Sequence, residues 1–427
     1  MGLNLIVLIF TVMASGAVSS TSMKGFLQRA VRAVSGPGSA EITICIGNEA
    51  ADADSIISSL CYAYTKQRQQ QSADRTFVPI VSVPRNILKL RRETELLLEM
   101  VDLDLDDLIC LDEVDVAEIS KEARLKSIVL LDHNLLGKCV TNLLPGGETE
   151  ATHLVEQILD HHEDAGAYPS VEGSNRQVAF DSATKKAVAG STCTLVAEQH
   201  MEYVNGVQAK NGIFDEEEAL QMQNLSILLQ GVITIDTQNM SEFGVGTSRD
   251  ENALNLLKPL IDEKVDRNQC FEILRDAKTD PAFWDSLSQL ECLAIDYKQF
   301  PQKDNIGVGI SSVLLPIKDF LQKESSIENL QTFMMEKDLD SLLVMSAVLK
   351  PEFRRELFIL AKTDSRIKDM EEFLTEKQEA VTVESLPLDG FAFTLPSVAR
   401  AYVQHSIKAS RKQVAPLVST YYSNSIL

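Results

Sequence analysis

Glu41-Ile-Thr-Ile-Cys-Ile-Gly47, followed at once by Asn48-Glu-Ala-Ala-Asp52-Ala-Asp54, is the stretch on which the architecture turns. Its first half is a short apolar run rich in β-branched residues that ends at glycine, the pattern of a buried strand. Its second half sets polar and acidic side chains directly beyond that strand. Residues 55–67 follow as a helix with Ile56, Leu60, Ala63 and Tyr64 on one face, and Asp54 is a candidate cap for it. Strand-like runs at 77–83, 108–111 and 127–132 alternate with helical stretches such as 86–101. This alternation predicts an α/β fold, a parallel sheet with helices on both faces.

Further along, residues 152–159 are helical in pattern and run into Asp160-His161-His162. Gly190-Ser191-Thr192 opens a helix to about residue 203, and another runs from Glu216 into the 230s. The polar, glycine-bearing segment 241–254 reads as a linker, best marked at 241–251. The expected organisation is a leader at 1–40, a catalytic parallel-sheet domain at 41–240, and a smaller mixed α/β domain at 255–427. Strand candidates in the last lie at 306–313, 341–349 and 357–361.

At 427 residues the chain is long enough for two or three domains. A hydrophobic share of 44% with 24% charged residues is the balance of a globular protein. Beyond the N-terminus no run approaches the ~20 apolar residues of a membrane helix, so no stable membrane insertion is expected. The net charge of −22 repels nucleic acid and anionic membranes. An anionic substrate would need that sign reversed locally, by metals and a few Lys or Arg. Seven scattered cysteines without a C-x-x-C pair read as reduced thiols, which favours the cytoplasm. Residues 3–19 argue the other way: an apolar stretch and small residues resemble a secretory signal that lacks its basic leader. The alternative is a start at Met23, ahead of Lys24, Arg29 and Arg32.

Four acidic signals stand at the ends of apolar runs: Asn48-x-x-x-Asp52-x-Asp54, Asp132-His133-Asn134, Asp160-His161-His162, and Asp236 after Gly-Val-Ile-Thr-Ile. In a parallel α/β sheet ligands bind at the carboxyl ends of the strands, so the four converge there if each follows a strand. Carboxylates gathered with imidazole repel one another unless cations neutralise them. Mg²⁺ or Mn²⁺ suit carboxylate oxygen, and imidazole shifts the preference towards Mn²⁺ or Co²⁺. Two such ions about 3.5–4 Å apart can activate water and clamp a displacement at phosphorus. The plainer reading makes each aspartate a helix cap and the histidine pair a surface feature. Three of only six histidines fall in these motifs, which favours a site.

The ordered set resembles the four motifs of the DHH phosphoesterases, in the branch of family II inorganic pyrophosphatases and eukaryotic exopolyphosphatases. Gly190-Ser-Thr-Cys-Thr-Leu-Val-Ala-Glu198 is similar to the helix start that follows the third motif. Ser410-Arg411-Lys412-Gln-Val-Ala-Pro416 resembles the substrate-binding signature of the C-terminal domain, and Asp296-Tyr-Lys298-Gln-Phe300 a second basic segment there. The resemblance covers about residues 41–420. It implies two divalent metal ions (Mn²⁺ or Mg²⁺, with Co²⁺ as a third candidate). Asp54, Asp132, His161 and Asp236 would hold one ion; Asp52 and the shared Asp132, next to the weaker ligand Asn48, would hold the other. His162 would face the phosphate or the attacking water, and Lys298, Arg411 and Lys412 would grip the substrate. Otherwise Arg411-Lys412 is a solvated basic turn. Pyrophosphatases of the branch carry histidine where this chain has Asn48; the Gly-Asn-Glu-x-x-Asp form looks like exopolyphosphatases and Prune-type proteins. Prune-type proteins depart at Asp160-His161-His162, which is intact here. The implied activity is exopolyphosphatase, with inorganic polyphosphate or pyrophosphate as substrate. Pyrophosphatase, Prune-type nucleotide phosphodiesterase and a non-catalytic interaction protein are the alternatives.

Overall fold

The computed structural model describes residues 19–424 apart from 20, 37, 39, 71–73, 211, 243, 302–305, 325–326, 350–351, 378 and 389–394. The opening stretch forms strand β1 (Glu41–Ile46), with Ile42, Ile44, Cys45 and Ile46 buried between two helical layers. It lies inside a parallel sheet with β2 (Arg75–Ile80), β3 (Leu125–Leu131), β4 (Val155–Asp160) and β5 (Arg176–Val178), in the order β2-β1-β3-β4-β5. The chain leaves β1 to pair β2 on one side and returns to pair β3 on the other. The gap between the carboxyl ends of β1 and β3 is therefore a topological switch point, where an open α/β sheet leaves a crevice. A two-stranded ribbon, β6 (Phe180–Asp181) with β7 (Lys186–Ala187), follows β5.

Two secondary-structure expectations are corrected here, and helices occupy parts of the expected leader and linker. The run 152–159 is not one helix: the helix ends at Leu154 and Val155–Asp160 is β4. Val155, Ile158 and Leu159 are buried in this interior strand, and pairing on both edges overrides the local pattern. Residues 108–111 form no strand; Cys110 makes one bridge to Val81 before a 3-10 turn at Leu111–Glu113, whose Glu113 carboxylate accepts from the Cys110 N–H. The expected leader 1–40 contains the helix Met23–Ser35, which buries Met23, Phe26, Leu27 and Ala30 against the sheet domain. The expected linker contains the helix Ser248–Leu257, packed on helix Thr192–Ala209. Its Asp250 is fully buried and accepts from Gly190 N, Thr194 Oγ1 and Thr247 N. Beyond the expected boundary, helix Arg267–Thr279 also places Cys270 and Leu274 in the N-terminal core.

The C-terminal sheet holds six strands in the order β12-β13-β11-β10-β9-β8. They are β8 (Tyr297–Pro301), β9 (Gly307–Val313), β10 (Ser341–Val348), β11 (Arg354–Ala361), β12 (Val383–Ser385) and β13 (Ala399–Gln404). Only β9 and β10 run parallel; the other pairs are antiparallel. Separate apolar clusters cover its two faces, one around Phe320 and Phe358 and one around Phe373 and Val418. The mixed sheet matches the expected smaller α/β domain. Among the described residues no helix is long and apolar enough to cross a membrane. All seven cysteines are free, six of them buried.

Candidate metal centre

Three adjacent strands deliver the site. Asn48 follows β1, Asp132 follows β3, and Asp160 ends β4 with His161 and His162 beyond it. Asp132 adopts φ +64°, a left-handed conformation that Asp and Asn tolerate better than most residues. The turn directs its carboxylate into the crevice, where it is 2% exposed. Oδ2 accepts from Asn48 Nδ2 at 2.6 Å and Ser55 Oγ at 2.8 Å. Oδ1 lies 3.3 Å from His161 Nε2 and 3.6 Å from His162 Nδ1.

Asp54 approaches from the first turn of helix Ala53–Gln69. It is not that helix's cap: Asp52 is, accepting from Ser55 N at 3.0 Å. Asp54 instead faces the N-terminus of helix Thr192–Ala209, accepting from Ser191 Oγ, Thr192 N and Cys193 N at 2.7–2.8 Å. Unpaired N–H groups and the helix dipole favour an anion there. Even so, burial first, then the charges of Asp132 and Asp236, push the Asp54 carboxyl well above the ordinary carboxylate range. Burial also pushes Asp132 upward, but the bond to His161 and the charges of His162, His161 and Lys298 outweigh it and hold Asp132 low. One carboxylate of the pair is thus held ionised at the expense of its neighbour, the behaviour of like charges crowded together.

The two histidines have defined tautomers. His161 Nδ1 lies 3.2 Å from the Ala189 carbonyl, which can only accept, so Nδ1 carries the hydrogen. Nε2 then faces Asp132 at 3.3 Å and Asp54 at 3.7 Å. A proton or a metal ion placed there would be shared between the imidazole and the carboxylates. Asp160 organises the next turn: Oδ1 accepts from His161 N, His162 N and His162 Nδ1, while Oδ2 accepts from Asn134 Nδ2. Burial pushes Asp160 up, but the adjacent His162 prevails and sets it at about 2. Burial lowers the pKa of His162 against the opposing pull of Asp160, and the bond from Nδ1 to Asp160 turns Nε2 away from that carboxylate. Among the described residues, Asp132, His161 and His162 offer ligand atoms within 4.8 Å of one another. Buried carboxylates, a carbonyl-fixed imidazole and a carboxylate-fixed imidazole form a donor set that fits a divalent ion.

The other expected residues fall as follows. Asp236 ends helix Glu216–Asp236, near enough for its charge to raise Asp54. Asn48 Nδ2 donates to Asp132 and its Oδ1 accepts from Ala50 N, so the amide braces the carboxylate in this structure. Lys298 stands on β8, and its charge reaches Asp132, His133 and His162 from the second domain. Arg411 is partnered, donating to the Asp296 carbonyl and carboxylate at 2.5 Å. The side chain of Lys412 lies outside the described residues. Composition and spacing gave no sign of Ser55, Ser191 and Thr192 as carboxylate donors. They also missed Lys278, whose charge joins those of Arg411 and Lys298 in holding Asp296 low against burial.

A family model for the DHHA2 domain matches residues 273–421. Human exopolyphosphatase PRUNE1 is 26% identical over 378 residues, covering 88% of this chain and 74% of that protein. A Schizosaccharomyces pombe protein provisionally named exopolyphosphatase is 29% identical over 379 residues, covering 87% of this chain and 88% of its own. The crystal structure of a Methanococcus jannaschii protein, provisionally named family II inorganic pyrophosphatase, superimposes with a TM-score of 0.55 at 18% identity, covering 89% of this chain and 99% of that one. That likeness concerns the fold. The chain therefore carries a DHHA2 domain behind a parallel-sheet domain and, over most of its length, resembles the exopolyphosphatases of the DHH superfamily.

Proposed function

We propose that this protein is a metal-dependent exopolyphosphatase that hydrolyses the terminal phosphoanhydride bond of linear inorganic polyphosphate. The observation that carries the reading is the meeting of Asp54, Asp132, His161 and His162 in one buried crevice, faced by Lys298 from the DHHA2 domain. Asp54, Asp132, His161 and Asp236 would hold one divalent ion, and Asp52 with Asp132 the other. Mn²⁺ or Mg²⁺ fits this donor set, and Co²⁺ is the third candidate. When bound, the ions supply Lewis acidity and a water of lowered pKa. His162 Nε2, fixed through Asp160, serves as the proton acceptor or donor on the phosphate side. Lys298 and Arg411 receive the anionic leaving group, Arg411 on exchanging Asp296 for phosphate oxygen.

A second reading, inorganic pyrophosphatase, is favoured by the space beside the site. A cavity of about 1160 Å³ is flanked by Glu49 and Ser82 on one side and by Tyr297 and Gln299 on the other. Asp112, Glu113, Asp115, Glu336 and Asp338 also line it, against Lys138 and Lys337. Such a lining repels a long phosphate chain, and a two-phosphate substrate would not need it.

The deciding experiment measures orthophosphate release from long-chain polyphosphate and from pyrophosphate, after chelation and again after adding Mn²⁺, Mg²⁺ or Co²⁺. The chelated protein is expected to release none, with polyphosphate preferred once metal is restored. Strong preference for pyrophosphate would replace the first reading by the second, and comparable turnover of cyclic nucleotides would favour a phosphodiesterase. No release from any anhydride with any of the metals leaves a non-catalytic protein.

Asp160→Asn tests the bracing of the histidines. One amide oxygen can still take both backbone N–H groups, but the amide nitrogen then confronts the Asn134 donor. A folded protein with about 10–100-fold slower phosphate release is expected. An unaltered rate would reduce Asp160 to a turn former.

A further inference from the structure

The helical run expected at 86–101 breaks at Arg91, which has φ −98° and ψ 70° between helices Arg85–Leu88 and Arg92–Glu99. The break sends the arginine inward, where it is 1% exposed and among the largest fully buried side chains of the described residues. Nε donates to the Ala51 carbonyl at 2.8 Å, and Nη2 to the carbonyls of Ala50 at 2.5 Å and Ala294 at 3.3 Å. Nη1 has no hydrogen-bond partner among the described residues.

These carbonyls belong to two different parts of the site. Ala50 and Ala51 sit in the loop between Asn48 and Asp54, and Ala51 is held at φ +45°. Ala294 lies just ahead of Asp296 and Lys298, on the segment that Arg411 grips from the other side. A buried guanidinium carries a heavy desolvation penalty, and apolar packing of similar volume usually stabilises a fold as well or better. An apolar side chain cannot hold three carbonyls from two domains at once, and an ammonium lacks the fixed fork geometry with which the guanidinium does so.

Resting on the hydrolase reading above, we propose that Arg91 is a positioning residue that sets the Asp52–Asp54 loop and the Lys298 segment in register across the domain seam. It touches neither metal nor substrate. It acts through the backbone of both, so that ordering one side orders the other.

The test compares Arg91→Lys with Arg124→Lys. Arg124 is a second deeply buried arginine, donating to the Ala33 and Gly36 carbonyls away from the site. Arg91→Lys is expected to weaken Mn²⁺ binding, read as free Mn²⁺ by electron paramagnetic resonance, by about 10–100-fold and to raise KM for pyrophosphate. Arg124→Lys should lower thermal stability and leave both unchanged. A folded Arg91→Lys protein with wild-type Mn²⁺ affinity and KM overturns the proposal. Hydrogen exchange on the unmodified protein gives a second measurement that does not depend on a variant folding. Added Mn²⁺ should slow exchange at 294–298 as well as at 48–54, and slowing confined to 48–54 also overturns it. A wild-type protein that cleaves no anhydride overturns the hydrolase reading instead, and the exchange result still judges Arg91.

Discussion

Asp132→Asn is expected to reduce phosphate release by about 10³-fold or more, beyond the 10–100-fold typical of residues that only brace a metal ligand. The protein should stay folded. Asparagine tolerates the left-handed φ of +64° at this position, where alanine would add about 1 kcal/mol or more of backbone strain. The amide oxygen can keep the bonds from Asn48 Nδ2 and Ser55 Oγ. The amide nitrogen then points at His161 Nε2 and can donate to it, in place of a carboxylate oxygen that could take a metal ion. The substitution also removes a charge that, after burial, raises Asp54, so the metal-free variant should melt no lower than the metal-free wild type. Ligand binding to the native state alone raises stability by mass action. Added Mn²⁺ should therefore raise the melting temperature of the wild type and not that of the variant. Calorimetric scans with and without metal, beside a rate assay, check both halves. More than a tenth of wild-type turnover would contradict a carboxylate shared by both ions.

The sequence was most informative where local pattern and tertiary role agree. β1 was legible because its apolar run is buried on both faces, and the acidic signals were legible because each follows an apolar element that must end at the crevice. It misled where one pattern served two structures. Residues 152–159 carry apolar spacing compatible with a helix, but they occupy an interior strand position flanked by β3 and β5. Residues 108–111 have the apolar content of a strand, yet the acidic side chains that follow cap a turn instead. The polar composition of 241–254 looked like a linker because Asp250, its buried acceptor, is recognised only through Gly190 and Thr194, more than fifty residues away. The candidate cap Asp54 has a rival two residues earlier, and Asp52 is the cap. Both Asp52 and Asp54 satisfy the local rule, and only the approach of helix Thr192–Ala209 draws Asp54 away. Arg91 gave no local sign at all, because its partners are backbone carbonyls.

The paired histidines give the other large effect, and they should fail differently. His161 is 5% exposed, fixed by the Ala189 carbonyl, and aims Nε2 between Asp54 and Asp132. His162 has a side chain 30% exposed and is fixed by Asp160. Glutamine at position 161 is a poorer ligand than imidazole and lacks the ring that the carbonyl orients. His161→Gln should therefore weaken Mn²⁺ binding by about 100-fold or more, and turnover at modest metal concentration should fall by at least as much. Saturating Mn²⁺ should recover part of that loss, since the metal is the missing component. His162→Gln should leave Mn²⁺ affinity within a few-fold of wild type and still lower turnover by about 10²–10⁴-fold, the range of a lost acid–base group. Added Mn²⁺ should not restore it. Its remaining activity should also lose the pH dependence that a titrating imidazole confers on the wild type. Titrating Mn²⁺ into each variant while following phosphate release separates the two roles. If His162→Gln loses metal as severely as His161→Gln, both imidazoles are ligands, and the proton must pass through another group at the crevice.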